Sequence, residues 1–292
     1  MALIPRLRPW IGIKVFAAAL TPSNNAVSKF ENTFANKFRN ANGVMFSHGR
    51  SGMYTFFKSM GLEEDEIICP AYTCVVVQHA IVLSGNIPVF VDCAAAGFNM
   101  DLDHLEATIT TKTRCIVVTH LFGHPMDVNR VQTIVKNAEK KYGHKIYIMQ
   151  DVAHSYGSKW DGKLVTEYGD CAIFGCNVSK IMTSVFGGML TTNSEEISNS
   201  VRTFRDTNFK KVGFVKSMNR LIYLAAIRIA FIPWIYIMTN WLERKGLLNR
   251  FVKYYDESVI DFPDDWDQMP CELEARVGLV QLGKYDEIIS LR

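Results

Sequence analysis

No run of basic residues tracks along this chain: 32 lysines and arginines are offset by 29 acids spread through the sequence, for a formal charge of +3. Nucleic acid is therefore a poor choice of partner. The seven cysteines include no CxxC spacing, which argues against a zinc site and a disulfide scaffold. Cys69, Cys93, Cys115 and Cys171 lie in or beside strand-like apolar runs and read as reduced, buried small hydrophobes, so no metal is expected. No GxGxxG turn follows the first strand-like run, which removes the sequence support for a dinucleotide-dependent oxidoreductase. Internal repeats and low-complexity linkers are absent as well. The N-terminal "IPRLRPWIGIKVFAAALTP" sets arginines before an apolar stretch, but Lys14 interrupts it and leaves too short an apolar core for a good signal peptide. The expected location is the cytoplasm.

What the chain does have is 48% apolar content over 292 residues, ample for a large buried core. From residue 43 to 150, short β-branched runs alternate with helix-period segments, the pattern of crossover units that build a mainly parallel sheet. "GVMFS", "EIICP", "IPVFVD", "RCIVVTH" and "KIYIMQD" read as strands. Met53, Phe56, Phe57 and Met60 recur at helical spacing, as do Val131, Ile134, Val135 and Ala138 behind the candidate cap Asp127. The expected fold class is α/β, a three-layer sandwich around a mainly parallel sheet. Such sheets take ligands outside the carboxyl ends of their strands, which directs attention to Ser47 to Ser51, Pro70 to Cys74, Asp92, His120 and Asp151 to His154.

Two of these places, and one stretch outside them, carry chemistry worth weighing. In "FSHGRSGMYTFF" a strand runs through Gly49, Arg50 and Ser51 into a helix, and a helix N-terminus with added side-chain donors suits an anion. The plain alternative is a strand-to-helix connection in which Gly49 only relieves backbone strain. In "QDVAHSYGS" Asp151 ends a strand, either capping a turn or pairing with a protonated ring nitrogen, and His154 is a structural histidine or a ligand contact. In "FGCNVSKIMTSVFGGMLTT" Lys180 is the only cation among apolar and small residues. Either it is a surface loop lysine, or desolvation lowers its pKa and frees an amine for an aldehyde. An anion cradle, a carboxylate for a ring nitrogen and a lysine for an aldehyde are the three requirements of pyridoxal phosphate.

Residues 221 to 242, "LIYLAAIRIAFIPWIYIMTNWL", are strongly apolar and aromatic with Arg228 as their single charge. Arg228 and Pro233 count against a simple spanning helix. Trp234, Tyr236 and Trp241, with flanking Arg220, Arg244 and Lys245, suit an interfacial or re-entrant membrane segment, and a helical hairpin buried against the main domain or a dimer partner fits equally.

Taken together, "SHGRSGMY", "PAYTCVVVQHAIVLSGNIPVFVD", "FNMDLDHLEATITTKTRCIVVTHLFGHPMD", "QDVAHSYGS", "GDCAIFGCNVSKIMTSVFGGMLTTN" and "ELEARVGLVQLGKYDEII" resemble the DegT/StrS sugar aminotransferases of fold-type I, from about residue 24 to the last. The resemblance implies a pyridoxal phosphate enzyme in which Lys180 falls on the Schiff-base lysine, Asp151 on the partner of the pyridine nitrogen, and His154 on the position that contacts the ring's phenolic oxygen. Arg50 and Ser51 fall on the turn that holds the phosphate. The implied reaction moves an amino group, usually from glutamate, to a keto sugar carried on a nucleotide for polysaccharide or glycan synthesis. Lys180 argues against the branch of the family that carries histidine there and dehydrates its substrate. Relatives of this kind are homodimers.

The sequence also departs from the family. Gly175 stands where many relatives place a phosphate-binding serine, and Cys74 where many place an aromatic that stacks on the cofactor. "PDDWDQMPC", residues 263 to 271, lacks the usual asparagine and arginine, and 221 to 242 looks like an insertion. The resulting division is an N-terminal arm over 1–23, a cofactor-binding large domain over 24–200, an apolar helical insertion over 201–262, membrane-associated or not, and over 263–292 the start of a C-terminal small domain. Ending at Arg292, the chain is expected to be a fragment or a lineage that has lost that domain. The rival to an active enzyme is a degenerate relative serving as a cofactor-binding or membrane-tethered scaffold.

Overall fold

A computed structural model describes residues 9–247 and 259–291. Seven strands form its central sheet: β1 (Asn42–Phe46), β2 (Glu66–Pro70), β3 (Ile87–Val91), β4 (Thr113–Thr119), β5 (Tyr147–Asp151), β8 (Cys171–Gly175) and β9 (Gly188–Thr192), with β6 (Lys159–Trp160) and β7 (Lys163–Leu164) paired as a small separate ribbon. The spatial order is β1-β9-β8-β5-β4-β2-β3. Ladders from β8 through β5, β4 and β2 to β3 are parallel, and β9 alone runs against both of its neighbours. All five strands expected over residues 43–150 are present.

Side chains alternate between two helical layers, which is why the central strands read as continuous apolar runs. Cys115 and Val117 of β4 pack with Phe56, Phe57 and Ile81, from α3 (Gly49–Ser59) and α4 (Val76–Leu83), in the layer that also takes Val201 of α7 (Glu195–Asn208). Their neighbours Ile116 and Val118 pack on the opposite face with Leu105 of α5 (Leu102–Thr108) and with Val131, Ile134 and Val135 of α6 (Val128–Tyr142). Asp127 caps α6 as expected, accepting from the Arg130 amide at 2.9 Å. Phe30 and Phe34 of α2 (Ala26–Lys37) meet Phe174 of β8 in a third apolar cluster. Burying each such phenylalanine contributes about 1.5–3 kcal/mol.

The edge strand β1 is closed to further pairing by charge. Buried Glu31 of α2 accepts from the Met45 amide at 2.8 Å and from Arg205 at 2.7 Å, while Arg202 and Arg205 donate to the carbonyls of Gly43 and Met45. Unpaired edge groups invite association, and here side chains satisfy them. At the N-terminal side, Arg276 donates to the last carbonyls of α1 (Ile13–Leu20) from α10 (Glu272–Leu282), and α11 (Tyr285–Ser290) follows.

The apolar stretch at 221–242 is two helices, α8 (Phe214–Ala230) and α9 (Pro233–Arg244), bent by 107°. Proline at the first position of α9 forces Ile232 out of helical geometry, and the break follows. Among the described residues no single helix is long and apolar enough to cross a membrane. Only one side of α8 is buried, with Leu224 packed among Val15, Val185 and Val277. The cysteines are all free, yet Cys93 corrects the expectation of burial: it is half-buried in an exposed turn, where its thiol donates to the Phe98 carbonyl. Its strand ends at Val91, and Cys93 lies outside the layers that would have covered it.

Candidate active site

Because β9 is reversed, the carboxyl ends of the other strands and the start of β9 share one edge of the sheet. Asp151 is the last residue of β5 and is 5% exposed. Its carboxylate accepts from the Ala153 amide at 3.0 Å, and Thr119, the matching residue of β4, reaches it at 3.5 Å. Burial pushes its pKa up; the Ala153 amide, the Lys180 charge and the Thr119 hydroxyl oppose that in turn. The carboxylate is thus short of positive charge.

Lys180 sits in the loop 176–187 between β8 and β9. A Cβ added at Gly175 would lie 3.3 Å from its Cε and 3.8 Å from both its Cγ and the Ala153 Cβ, so the lysine stem fills the space that a side chain at 175 would take. Burial lowers the pKa of the amine, and Asp151, then Cys74 and Cys176, pull it back. Cys74 lies half-buried in the turn after β2. The loop is fixed by hydrogen bonds from the amides of Cys176 to Gly187 and of Ser184 to Cys176, both 2.8 Å. Val185 anchors it, fully buried with φ 76°, a left-handed conformation that a β-branched residue adopts only when packing enforces it.

The first turn of α3 meets this loop. A Cβ on Gly49 would lie 3.2 Å from the Phe174 carbonyl oxygen, and one on Gly188 would collide with the backbone of Gly49. Glycines 49 and 188 thus allow backbone to touch backbone, and the positive end of α3 arrives at the end of β8. Arg50 and Ser51 in that turn are both buried. The Ser51 hydroxyl donates to the Trp266 carbonyl at 2.7 Å and so holds the C-terminal segment against the start of α3. His154, on the turn after β5, is exposed at the rim, with its ring stacked on Phe122 at 6.1 Å. Desolvation and then the Lys180 charge hold its pKa below the usual value, leaving a neutral imidazole at neutral pH.

Several residues around this site have no individual role assigned from the sequence. The Tyr156 hydroxyl donates to the Gly175 carbonyl, fixing the backbone under Lys180. Behind α3, Asp265 accepts from His48 at 2.8 Å and from Arg220, with Lys216 at 3.9 Å. Lys216 also donates to Ser47 at 2.7 Å, and Arg220 to Glu274 at 2.7 Å. Burial pushes the Asp265 pKa up, but His48, Arg220 and Lys216 together outweigh it and hold the group ionised. The signal was available: Lys216 and Arg220 are cations one turn apart at the head of a mostly apolar helix.

Residues 17–225 match the DegT/DnrJ/EryC1/StrS aminotransferase family. The chain belongs to that family. GDP-perosamine synthase of Escherichia coli O157:H7 is 31% identical over 179 residues, covering 61% of this chain and 48% of that protein. The GDP-perosamine synthase of Caulobacter vibrioides is 30% identical over 180 residues, with 61% and 47% covered. The chain spans about half the length of the curated relatives it matches. Among solved structures, a sugar aminotransferase from Micromonospora echinospora superposes with a TM-score of 0.73 at 21% identity, over 98% of this chain and 69% of that one. Helicobacter pylori PseC, an aminotransferase of pseudoaminic acid biosynthesis, gives 0.70 at 19%, over 97% and 66%. Sugar-aminotransferase structures from Streptococcus pneumoniae in PLP and PMP forms give 0.68 and 0.73, both at 21% identity; they cover 97% and 98% of this chain and 67% and 68% of theirs. These likenesses establish the fold-type I architecture.

Proposed function

We propose that this DegT-family chain is a pyridoxal phosphate-dependent aminotransferase that moves an amino group from glutamate to a nucleotide-linked keto sugar, working as a homodimer. The observation that carries the reading is the meeting of buried Asp151 with Lys180 beside the first turn of α3. The residues fit the cofactor: a carboxylate short of positive charge suits a protonated pyridine nitrogen, an amine with lowered pKa suits an aldehyde, and a helix N-terminus suits a phosphate. When bound, pyridoxal phosphate supplies the aldehyde and a ring that withdraws the electrons left by C–H cleavage.

Each residue then has a stated task. Asp151 holds the proton on the ring nitrogen, and its Ala153 and Thr119 contacts keep it oriented. Lys180 anchors the cofactor and afterwards moves a proton at the substrate carbon with its Nζ. Neutral His154 is assigned to the phenolic oxygen, Gly49 and Arg50 with the α3 amides to the phosphate, and Cys74 to the cofactor wall where relatives place an aromatic. The segment 221–242 is assigned to a membrane surface, as a contact and not as a span.

Adding pyridoxal phosphate to the full chain should produce an absorbance band near the visible edge that shifts within a single turnover on adding glutamate. A band that glutamate leaves unchanged would favour the scaffold reading, and no band at all would remove the cofactor. Gly175→Val should place its methyls in the space of the Lys180 stem and lower turnover by about 10²-fold, since a misplacement of about 1 Å costs that much. Turnover equal to wild type would show that the stem does not depend on that space.

A further inference from the structure

We propose that the outer faces of α8 and α9 form one docking surface for a membrane leaflet rich in anionic headgroups. This deepens the membrane-contact reading above, by naming the lipid chemistry and the residues that meet it.

On α8, Phe214, Met218, Ile222, Ala226 and Ile229 follow one another at spacings of three and four, with Val215 beside them, and all are exposed. That stripe lies away from the side on which Leu224 is buried and on which Lys216 and Arg220 are tied to Ser47 and Asp265. On α9, Trp234, Ile237, Met238 and Trp241 form a second exposed stripe, with Trp234 at 74%. A helix on a water-facing surface normally shows its polar side outward. Here the exposed side of α8 is apolar instead, and α9 beyond the bend carries a second exposed apolar stripe.

Charge decides what covers the patch. Of the exposed cations in and beside the two helices, Lys210 pairs with Asp267 at 2.8 Å, while Lys211, Arg228, Arg244 and Lys245 are in no ion pair among the described residues. From Lys210 to Leu247 the only acid is Glu243. A second copy docking by two-fold symmetry would bring this patch against itself, apolar on apolar but cation near cation, with too few carboxylates to compensate. Phosphate headgroups supply the missing negative charge, tryptophans favour the headgroup boundary, and the apolar stripes enter the outer acyl region. The sharp bend, with cations at the end of α9, suits a pair lying along a leaflet.

Co-sedimentation of the full chain with vesicles tests this. Binding is expected to vesicles of phosphatidylcholine with phosphatidylglycerol, weakly to phosphatidylcholine alone, and to fall as salt rises. Replacing Arg244→Gln and Lys245→Gln together should weaken binding to the anionic vesicles about thirtyfold. Trp234→Glu with Trp241→Glu should abolish it, with the cofactor band unchanged because both side chains are exposed. Equal binding to both vesicle types, indifferent to the Gln substitutions, would overturn the anionic-headgroup inference and leave membrane contact standing. No binding by wild type to either vesicle would overturn both. A Trp→Glu variant that sediments as monomer where lipid-free wild type is a dimer would assign the patch to a second copy and overturn it as well.

Discussion

Replacing Lys180 with alanine is expected to abolish the near-visible band formed with pyridoxal phosphate and to lower turnover by at least about 10³-fold, because it removes both the anchor and the group that moves the proton. Lys180→Arg should fail almost as completely, since a guanidinium keeps its charge at any working pH and cannot offer a free amine. The same lysine has the opposite effect on stability. Its pKa in the folded chain lies below the ordinary 10.5, so the folded state carries the cost of a buried ammonium at every pH below the folded value. That cost fades as pH rises toward 10.5. Lys180→Ala should therefore unfold at a higher urea concentration than cofactor-free wild type at neutral pH, and the gain should shrink toward alkaline pH. A stability loss at neutral pH with the gain appearing only near pH 10 would contradict the desolvation argument.

Asp151→Asn should lower turnover by about 10²–10³-fold while leaving the fold intact, because the amide keeps the shape but cannot hold a proton on the ring nitrogen by charge. Its sign in stability follows from a pKa raised above the ordinary 3.8. Below that value the carboxyl is neutral in both states and adds no penalty. As pH rises through the folded pKa, wild type loses stability and the variant does not. The two urea midpoints should thus coincide near pH 3.5 and separate in favour of the variant at neutral pH. Midpoints that separate in favour of wild type would show that the carboxylate is better satisfied than its contacts with Ala153 and Thr119 imply. Both substitutions gain stability at the expense of function, as expected where charged groups are held dry until a ligand neutralises them.

The sheet was legible because its strands announce themselves. "EIICP" and "RCIVVTH" are β-branched runs too short for helices, and the stripes of α3 and α6 keep a helical period over about two turns. The reversal of β9 was not legible, because "GMLTT" reads the same in either direction, and strand direction is decided by long-range pairing with β1 and β8. Of the site, Lys180, Asp151 and Gly175 could be placed together from local anomalies and family likeness. Ser51 was placed in the right turn, but its partner is the Trp266 carbonyl, 215 residues away, and no local pattern encodes that. The Asp265 cluster escaped for a similar reason: its members come from the turn before α3, from α8 and from the stretch after residue 259, and each alone passes for a surface charge.

The pairing of Gly175 with Gly188 has one more consequence. The two ends of the lysine loop are clamped side by side by the sheet, so the entropy of closing that loop is lost when the chain folds and not when a ligand arrives. Cofactor affinity then carries little ordering cost. It also ties release to one mechanical event: peeling β9 from β8 would open the clamp, and the cofactor should leave at the denaturant concentration where that ladder unzips.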